Sequence, residues 1–452
     1  MTGKRETFGS NFAVIMAMAG SAIGLGNIWR FPYLVGQYGG AAFVIIYIVA
    51  TFLLALPIFY AEAVIGRRSR ANTFGAMRKL APGSRWHWVG LLTVISPLLI
   101  LSYYNVVGGW SAQYLFKSLA LDFSQKDPAA VTGYFGSFIT STWAPLVAHS
   151  IFVLAVSFII LGGVKSGIEK FTKWTMPALF LLILAIVAYS VCLPGSGEGV
   201  RYLVKPEFSK VTGQAAASAI GQAFFSLSLG VGTILTYASY MPKKDSIAGT
   251  GMKTAIADMG FALLAGFAVM PAVFAAGLAP GAGPGLIFES LPYLFNRMSD
   301  TLPLVSSIVS ILFFFSILIA ALTSAISLME VGVAYVAEET RLSRKQATWV
   351  LTFAIWALGV IWSLSFGPLA GVKILGFSLF DAVDTFCSNV LMPLGGLLFT
   401  LFVGYKMPAP EVYDEFTNAG SVNRRLYPVF RFLIRYVAPV GIVLLLLTPY
   451  LF

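Results

Sequence analysis

Charge is scarce in this chain. Asp, Glu, Lys and Arg make up 11% of its 452 residues, against about a quarter in a soluble globular domain. So little charge cannot cover the wet surfaces of the two or three soluble domains this length would otherwise imply. Cysteine and histidine are equally thin, at two each. Cys192 and Cys387 fall in or near apolar stretches and build no disulfide framework; they read as packed thiols. His87 and His149 lack metal-ligand spacing. Asn-Gly, Walker and Ser/His/Asp arrangements are absent, so no enzyme class gains support. What is abundant is apolar: 58% hydrophobic, 14% aromatic, mean hydropathy +0.83. That composition excludes disorder and leaves an all-α polytopic membrane protein.

A helix needs about 20 apolar residues to cross the hydrocarbon. That ruler gives eleven transmembrane helices, at about 11–36, 41–66, 87–117, 144–162, 172–193, 214–240, 250–278, 303–337, 347–365, 376–405 and 430–452. These runs are too long and too uniformly apolar for barrel strands. The opening Met-Thr-Gly-Lys-Arg-Glu leads into the first apolar run without a small-residue cleavage site, so that run is expected to stay as a helix. With the N-terminus cytoplasmic, 22 of the 30 lysines and arginines fall on the inner side and seven on the outer, with Arg30 inside a span. The asymmetry fits the positive-inside pattern, so the net charge of +11 reads as topology and not as affinity for nucleic acid. An odd number of spans puts the C-terminus outside. Trp86, Trp88, Trp143 and Trp362 are expected as interfacial anchors, the two histidines at interfaces, and Phe313–Phe315 as lipid-facing or packing surface.

The first span is interrupted. Residues 20–27 read Gly-Ser-Ala-Ile-Gly-Leu-Gly-Asn, followed by Arg30, Phe31 and Pro32. Each glycine weakens a helix by about 1 kcal/mol relative to Ala. Gly20 and Gly24 at spacing four suit a close-packed helix face. Gly26, Asn27 and Arg30 add polar groups that lipid would penalise, and an unwound segment lining a cavity accounts for all of them. The sixth span repeats the oddity with Ser-Leu-Ser-Leu-Gly-Val-Gly at 226–232. Breaks at the start of each set of five spans point to an inverted-repeat transporter with a midplane site. The free carbonyls at such a break suit a small cation, and the free N–H groups a carboxylate.

Gly-Ser-Ala-Ile-Gly-Leu-Gly-Asn-Ile-Trp-Arg-Phe-Pro-Tyr at 20–33 resembles the first-helix signature of the neurotransmitter:sodium symporters. Gly-Gln-Ala-Phe-Phe-Ser-Leu-Ser-Leu-Gly at 221–230 with Thr-Tyr-Ala-Ser-Tyr at 236–240 resembles the sixth-helix signature, and Leu-Thr-Ser at 322–324 the eighth. The resemblance spans essentially the whole chain, in the eleven-span branch of bacterial amino-acid transporters. It implies a 5+5 inverted repeat with broken helices 1 and 6 (the LeuT-type fold). The first repeat is placed at 1–200, the second at 201–406, and an intracellular loop with the last span at 407–452. It implies sodium-coupled import of hydrophobic or aromatic α-amino acids by alternating access, in a bacterial inner (plasma) membrane, by a monomer or weak homodimer. Another cation-coupled carrier or a channel of the same broken-helix architecture is the alternative.

The resemblance also implies two sodium sites. The first uses the Ala22 carbonyl, the Asn27 amide oxygen, the Ser226 carbonyl and hydroxyl, and Asp258, completed by the substrate carboxylate. The second uses the carbonyls of Gly20, Ile23 and Ala320 with the hydroxyls of Thr323 and Ser324. Back-bonding to their own helix is the plainer reading of those two hydroxyls on spacing alone. For the substrate, N–H groups near Leu25 and Gly26 and the Tyr104 hydroxyl would hold the carboxylate. The carbonyls of Ala22, Phe225 and Ser226 with the Ser228 hydroxyl would hold the ammonium. Ile100, Tyr104, Phe225, Val231, Ser324 and Leu328 would line the side-chain pocket. Gly24 stands where monoamine-transporting relatives carry an aspartate, which favours a free α-amino acid. Val231 stands where a leucine-selective relative has phenylalanine, which favours larger side chains. Asp258 stands where chloride-dependent relatives have asparagine, so transport is expected to need no chloride, with Asp258 taking up a proton once sodium and substrate leave.

Arg30 and Asp384 resemble an outer gate, above a lid of Tyr104 and Phe225, with Asp381 as a competitor. Arg5 with Glu338 resembles an inner gate, helped by Tyr240, Ser239 and Gln222. The usual partner there is an aspartate, and Glu339 is a second candidate. Glu62 is expected as a structural partner near the cytoplasmic end, and Glu330 in contact with water behind the pocket. Gly167 and Pro177 admit two readings: a helix that unwinds to open an inner water path, or a proline kink near a helix start.

Overall fold

The computed structural model describes residues 6–125, 127–277, 286–299 and 303–451. Among them, nine helices are long and apolar enough to cross a membrane: Ala41–Ser69, His87–Leu119, Trp143–Leu161, Val164–Val191, Ile247–Ala275, Pro303–Glu339, Arg344–Leu364, Leu379–Lys406 and Tyr427–Leu447. A tenth span is a bent pair, Asn11–Ala22 and Gly26–Gln37, at 53° to each other. Between the fourth and fifth of the nine lies another pair, Gly213–Ser226 and Thr233–Ser239, separated by residues 227–232. Taken in chain order these are helices 1 to 11. Inner and outer below follow the orientation predicted from charge.

Hydrocarbon offers the backbone no partner, so every spanning segment bonds internally. The two interruptions are therefore exceptions with local causes. In helix 1 the backbone turns extended at Ile23 (φ −76°, ψ 103°), and Asn27 and Ile28 N–H restart the next half on the Gly24 carbonyl. In helix 6, Ser228, Gly230 and Gly232 have φ of 52°, 78° and 72°. Three left-handed residues within five positions cannot belong to a right-handed helix. At Gly230 glycine is required twice, because a Cβ there would collide with the Met392 carbonyl. Helix 10 thus packs backbone to backbone against the break in helix 6.

Helices 5, 7 and 8 surround the inner half of helix 1, helix 8 packs along helix 3, and both halves of helix 6 lie on helix 2. The core is therefore built around the two breaks. Helix 5 runs unbroken from Val164 to Val191, with Pro177 inside it. Gly167 permits the close turn from helix 4, since a Cβ there would meet the Ile159 carbonyl. Trp88 and Trp143 are exposed on the apolar perimeter, as expected of anchors. Trp362 instead turns inward and donates to Ser102 Oγ at 2.8 Å. His149 is fully buried between helices 3, 4 and 9, with Nε2 3.3 Å from the Trp356 carbonyl, and is not interfacial. Phe313 and Phe314 are core; only Phe315 faces outward.

Candidate functional site

The two breaks face each other. The hydroxyl of Ser228 donates to the Ser21 carbonyl at 2.9 Å, joining the unwound part of helix 6 to helix 1. Beneath this bridge lies a cavity of about 40 Å³. Its wall holds every residue expected around the substrate: Ala22, Leu25, Gly26, Ile100, Tyr104, Phe225, Ser226, Ser228, Val231, Ser324 and Leu328. Gly24 and Met392 complete it. Met392 carried no signal in the sequence; it arrives because helix 10 is pressed on the helix 6 break. At Gly24 a Cβ would meet Ser324 Oγ and, at 3.1 Å, Tyr104 Oη. A side chain there would have to displace Ser324 or Tyr104.

Leu25 N–H donates to the Tyr104 hydroxyl at 3.3 Å, so two groups assigned to the substrate carboxylate lie together. Above the cavity is a vestibule of about 210 Å³ whose wall includes Arg30, Asp384, Tyr103, Tyr104 and Phe225. Tyr104 and Phe225 belong to both walls and form the partition. Arg30 lies 4.8 Å from the Phe225 ring centroid, a cation–π contact over that partition. Arg30 and Asp384 share the vestibule, but among the described residues no direct ion pair joins them. Asp381 does not compete for Arg30; its Oδ2 accepts from Ser378 Oγ at 2.6 Å, at the start of helix 10.

One oxygen cluster lies between helices 1 and 8. Thr323 Oγ1 is 3.0 Å from the Ala320 carbonyl and 3.5 Å from that of Ile23. Ser324 Oγ is 3.4 Å from the carbonyls of both Gly20 and Ile23. All five groups expected at the second cation site thus converge, and the Thr323 contact with Ala320 is the back-bonding that spacing alone suggested. Carbonyls and hydroxyls without nitrogen or sulfur are the donor set of a hard cation.

The second cluster surrounds Asp258, which is fully buried in helix 7. Its Oδ1 accepts from Asn27 Nδ2 at 2.7 Å, and Ser226 Oγ donates to Oδ2 at 2.7 Å. Tyr47, which the sequence reading did not single out, stands 3.5 Å from Oδ2. A buried carboxylate needs such partners, because desolvation is otherwise uncompensated. Asn27 presents its nitrogen to Asp258 while its amide oxygen accepts from Gly24 N–H at 3.2 Å. The oxygen expected to face the ion is thus turned to the backbone of its own break.

Three expected assignments are corrected. Gln222 is not an inner-gate helper: it lies one turn before the helix 6 break and donates to the Gly26 carbonyl at 3.0 Å, on the outer side. Glu62 does not sit at the cytoplasmic end; its Oε1 accepts from Gly230 N–H at 2.7 Å and caps the break. Its place within an apolar span makes it a costly carboxylate that needs a partner, but only the fold reveals which one. Glu330 is ion-paired with Arg344 at 2.5 Å and accepts from the Tyr240 hydroxyl at 2.7 Å, rather than facing water behind the pocket. Arg5 lies outside the described residues. Glu338 accepts from Asn72 N and Nδ2 at 2.9 and 3.0 Å, while Glu339 pairs with Arg78 at 3.0 Å. Ser239 is buried beside Tyr240.

Comparison with known proteins adds an independent line. Residues 5–131 and 129–451 match the profile described as the sodium:neurotransmitter symporter family. A Bacillus subtilis protein named "Uncharacterized sodium-dependent transporter YhdH" is 37% identical over 445 residues, covering 98% of this chain and 97% of that protein. A Haemophilus influenzae sodium-dependent transporter is 35% identical over 415 residues, covering 89% of each. Among solved structures, that of MhsT in complex with L-phenylalanine is similar with a TM-score of 0.91 and 40% identity, over 98% of this chain and all of that one.

Proposed function

This chain belongs to the sodium:neurotransmitter symporter family and is a sodium-dependent transporter; from that premise we propose that it imports hydrophobic or aromatic α-amino acids with sodium by alternating access. The observation that carries the reading is the single cavity between the two breaks, flanked by an oxygen cluster on either side. Both halves of a zwitterion find complementary groups there: N–H and phenol for the carboxylate, carbonyls for the ammonium. Apart from its serines, the rest of the wall is apolar and suits an uncharged side chain. The complex of MhsT with L-phenylalanine supports the same substrate class.

Sodium enters this scheme as cargo. Ions at both clusters couple to the substrate because Ala22, Ser226 and Ser324 serve the cavity wall and the ion ligands together. Asp258 supplies the negative charge while sodium and substrate are bound, so chloride has no role. The repeats fall at 1–200 and 201–406, the N-terminus is cytoplasmic and the C-terminus outside, and the membrane is the bacterial plasma membrane. The test is binding of each common amino acid to the purified protein with and without sodium. Uptake into proteoliposomes, with chloride replaced by gluconate in a parallel arm, completes it. Expected are sodium-dependent capture of apolar amino acids and uptake indifferent to gluconate. Binding that ignores sodium, or capture of charged side chains alone, overturns the reading.

A further inference from the structure

The segment that leads into helix 1 is tied to helix 5 by two carboxylates that point in opposite directions along the chain. Glu6, ahead of helix 1, accepts from Val164 N–H at 2.8 Å through Oε2. Val164 is the first residue of helix 5, and its N–H is one of the four that a helix leaves unpaired at its start. Glu169, on the first turns of helix 5, accepts through Oε2 from Gly9 N–H at 2.9 Å, just before the Ser10 cap of helix 1. Each segment therefore caps the beginning of the other with a negative charge, at the end where the helix dipole favours one. Two residues separate the end of helix 4 from the start of helix 5, and Gly163 at φ 74° makes that reversal and comes within reach of Glu6. The close fit holds the cap in one place.

We infer that Glu6 and Glu169 are the positioning residues that keep the inner half of helix 1 closed over the site, and that their exchange is a step in inner opening. Helix 1 is already broken at residues 23–25, so its inner half, Asn11–Ala22, can swing as a unit without rupturing a helix. Two further contacts hold its inner end: Phe8, whose N–H donates to the Tyr240 carbonyl at 3.1 Å and whose ring meets Tyr237 and Tyr240 edge-on, and Asn11, whose Nδ2 donates to Thr250 Oγ1 at 3.3 Å. When the half swings, Val164 and Gly9 N–H pass to water, which replaces a carboxylate acceptor at small net loss. Glu169 is left with a partner in waiting: Lys173, one turn on, already holds its other oxygen at 2.7 Å. A latch made of charged acceptors on backbone donors at the aqueous edge is firm enough to hold and weak enough to release. The aromatic and apolar contacts deeper in carry no such exchange.

This inference rests on the alternating-access reading, and the test separates the two. Cys192 and Cys387 are replaced by serine and alanine, and Ala17, buried on the inner half of helix 1, is changed to cysteine. The rate of its reaction with a water-soluble maleimide reports opening. Glu6→Ala and Glu169→Ala are each expected to raise that rate about tenfold, the worth of one charge-assisted hydrogen bond. Glu169→Gln, which keeps an acceptor oxygen, is expected to raise it less. Lys173→Ala, which leaves Glu169 to Gly9 alone, is expected to lower it. Phe8→Ala serves as the positive control. Rates within twofold of the parent for both Glu→Ala variants, with Phe8→Ala accelerated, overturn the latch. Sodium-dependent amino-acid binding is measured on the same samples, and its retention verifies that each variant is folded. Should the parent itself bind without sodium, the transport reading fails, while the labelling rates still decide whether the two carboxylates hold helix 1.

Discussion

Asn27 and Asp258 are joined across the break in helix 1 by a 2.7 Å hydrogen bond from carboxamide to carboxylate, both side chains fully buried. The bond ties helix 7 to the unwound segment whose carbonyls face the cavity. Asn27→Ala takes one donor from a buried charge, a loss of about 1.5–3 kcal/mol. Apparent sodium affinity in a binding assay is expected to fall roughly 10- to 100-fold, with the thermal midpoint of the purified protein lowered only modestly. Unchanged sodium activation in this variant counts against an ion ligand shell at Asn27.

Thr323 makes a second, separable case. Its hydroxyl touches the carbonyls of Ala320, Ile319 and Ile23, two on its own helix and one across. Thr323→Ser keeps the oxygen and is expected to keep sodium activation within about threefold, whereas Thr323→Val keeps the shape and loses it by about tenfold or more. Equal behaviour of the two variants means that the hydroxyl serves only its own helix.

Much of this was legible in the residues. Eleven apolar runs and two glycine-rich interruptions follow from hydropathy and propensity, because lipid leaves a spanning backbone few options. The cavity wall followed from motifs already known in order along the chain. What stayed hidden depends on which helix is pressed against which break. Met392 and Tyr47 sit in ordinary apolar sequence and become cavity wall and third partner of Asp258 only through the packing of helices 10 and 2. Glu62 and Glu330 were visible as costly intramembrane carboxylates, yet their partners, a backbone N–H at Gly230 and the guanidinium of Arg344, are set by tertiary contact. Gln222 and Tyr240 look like neighbours of one gate in the sequence, but their helix breaks at 227–232, which puts these residues, 18 apart, on opposite sides of the site.

Gly230 gives a stability test with an internal control. It combines φ of 78° with a Cβ position that collides with the Met392 carbonyl. Gly230→Ala is expected to lower stability by about 2 kcal/mol or more, from left-handed strain plus displacement of helix 10. Gly260, inside helix 7 with nothing within 4 Å of its would-be Cβ, is the contrast. Gly260→Ala is expected to be neutral or stabilising by up to about 1 kcal/mol. Thermal unfolding in detergent reads both, and a harmless Gly230→Ala removes the steric account of the helix 6 break.

Arg30 covers the partition above the cavity, and its charge acts on the Phe225 ring rather than through a direct pair with Asp384. Such a contact is worth about 0.5–2 kcal/mol. Arg30→Ala is expected to speed dissociation of a bound amino acid about 2- to 30-fold and to change association little. Arg30→Lys keeps the charge without the flat guanidinium and is expected to fall between. Stopped-flow dissociation measures this, and an unchanged off-rate assigns Arg30 to the vestibule alone.

Val231 decides how large a side chain the cavity accepts. It is buried in the helix 6 break, held by left-handed glycines on both sides, and its isopropyl group shares the apolar wall with Ile100 and Leu328. The flanking residues cannot shift easily, because Gly230 is jammed against Met392 and Gly232 against Thr73. A larger residue at 231 must therefore take its volume from the substrate. A single methylene in such a pocket discriminates by about 1–3 kcal/mol, and phenylalanine adds several carbons. Val231→Phe is expected to weaken binding of phenylalanine and tryptophan by about a hundredfold, while alanine and glycine change by less than about threefold. The asymmetry matters, since a variant that simply misfolds loses every substrate alike. Competition against a labelled amino acid in saturating sodium measures the series, and equal loss across all sizes places the selectivity filter elsewhere in the wall.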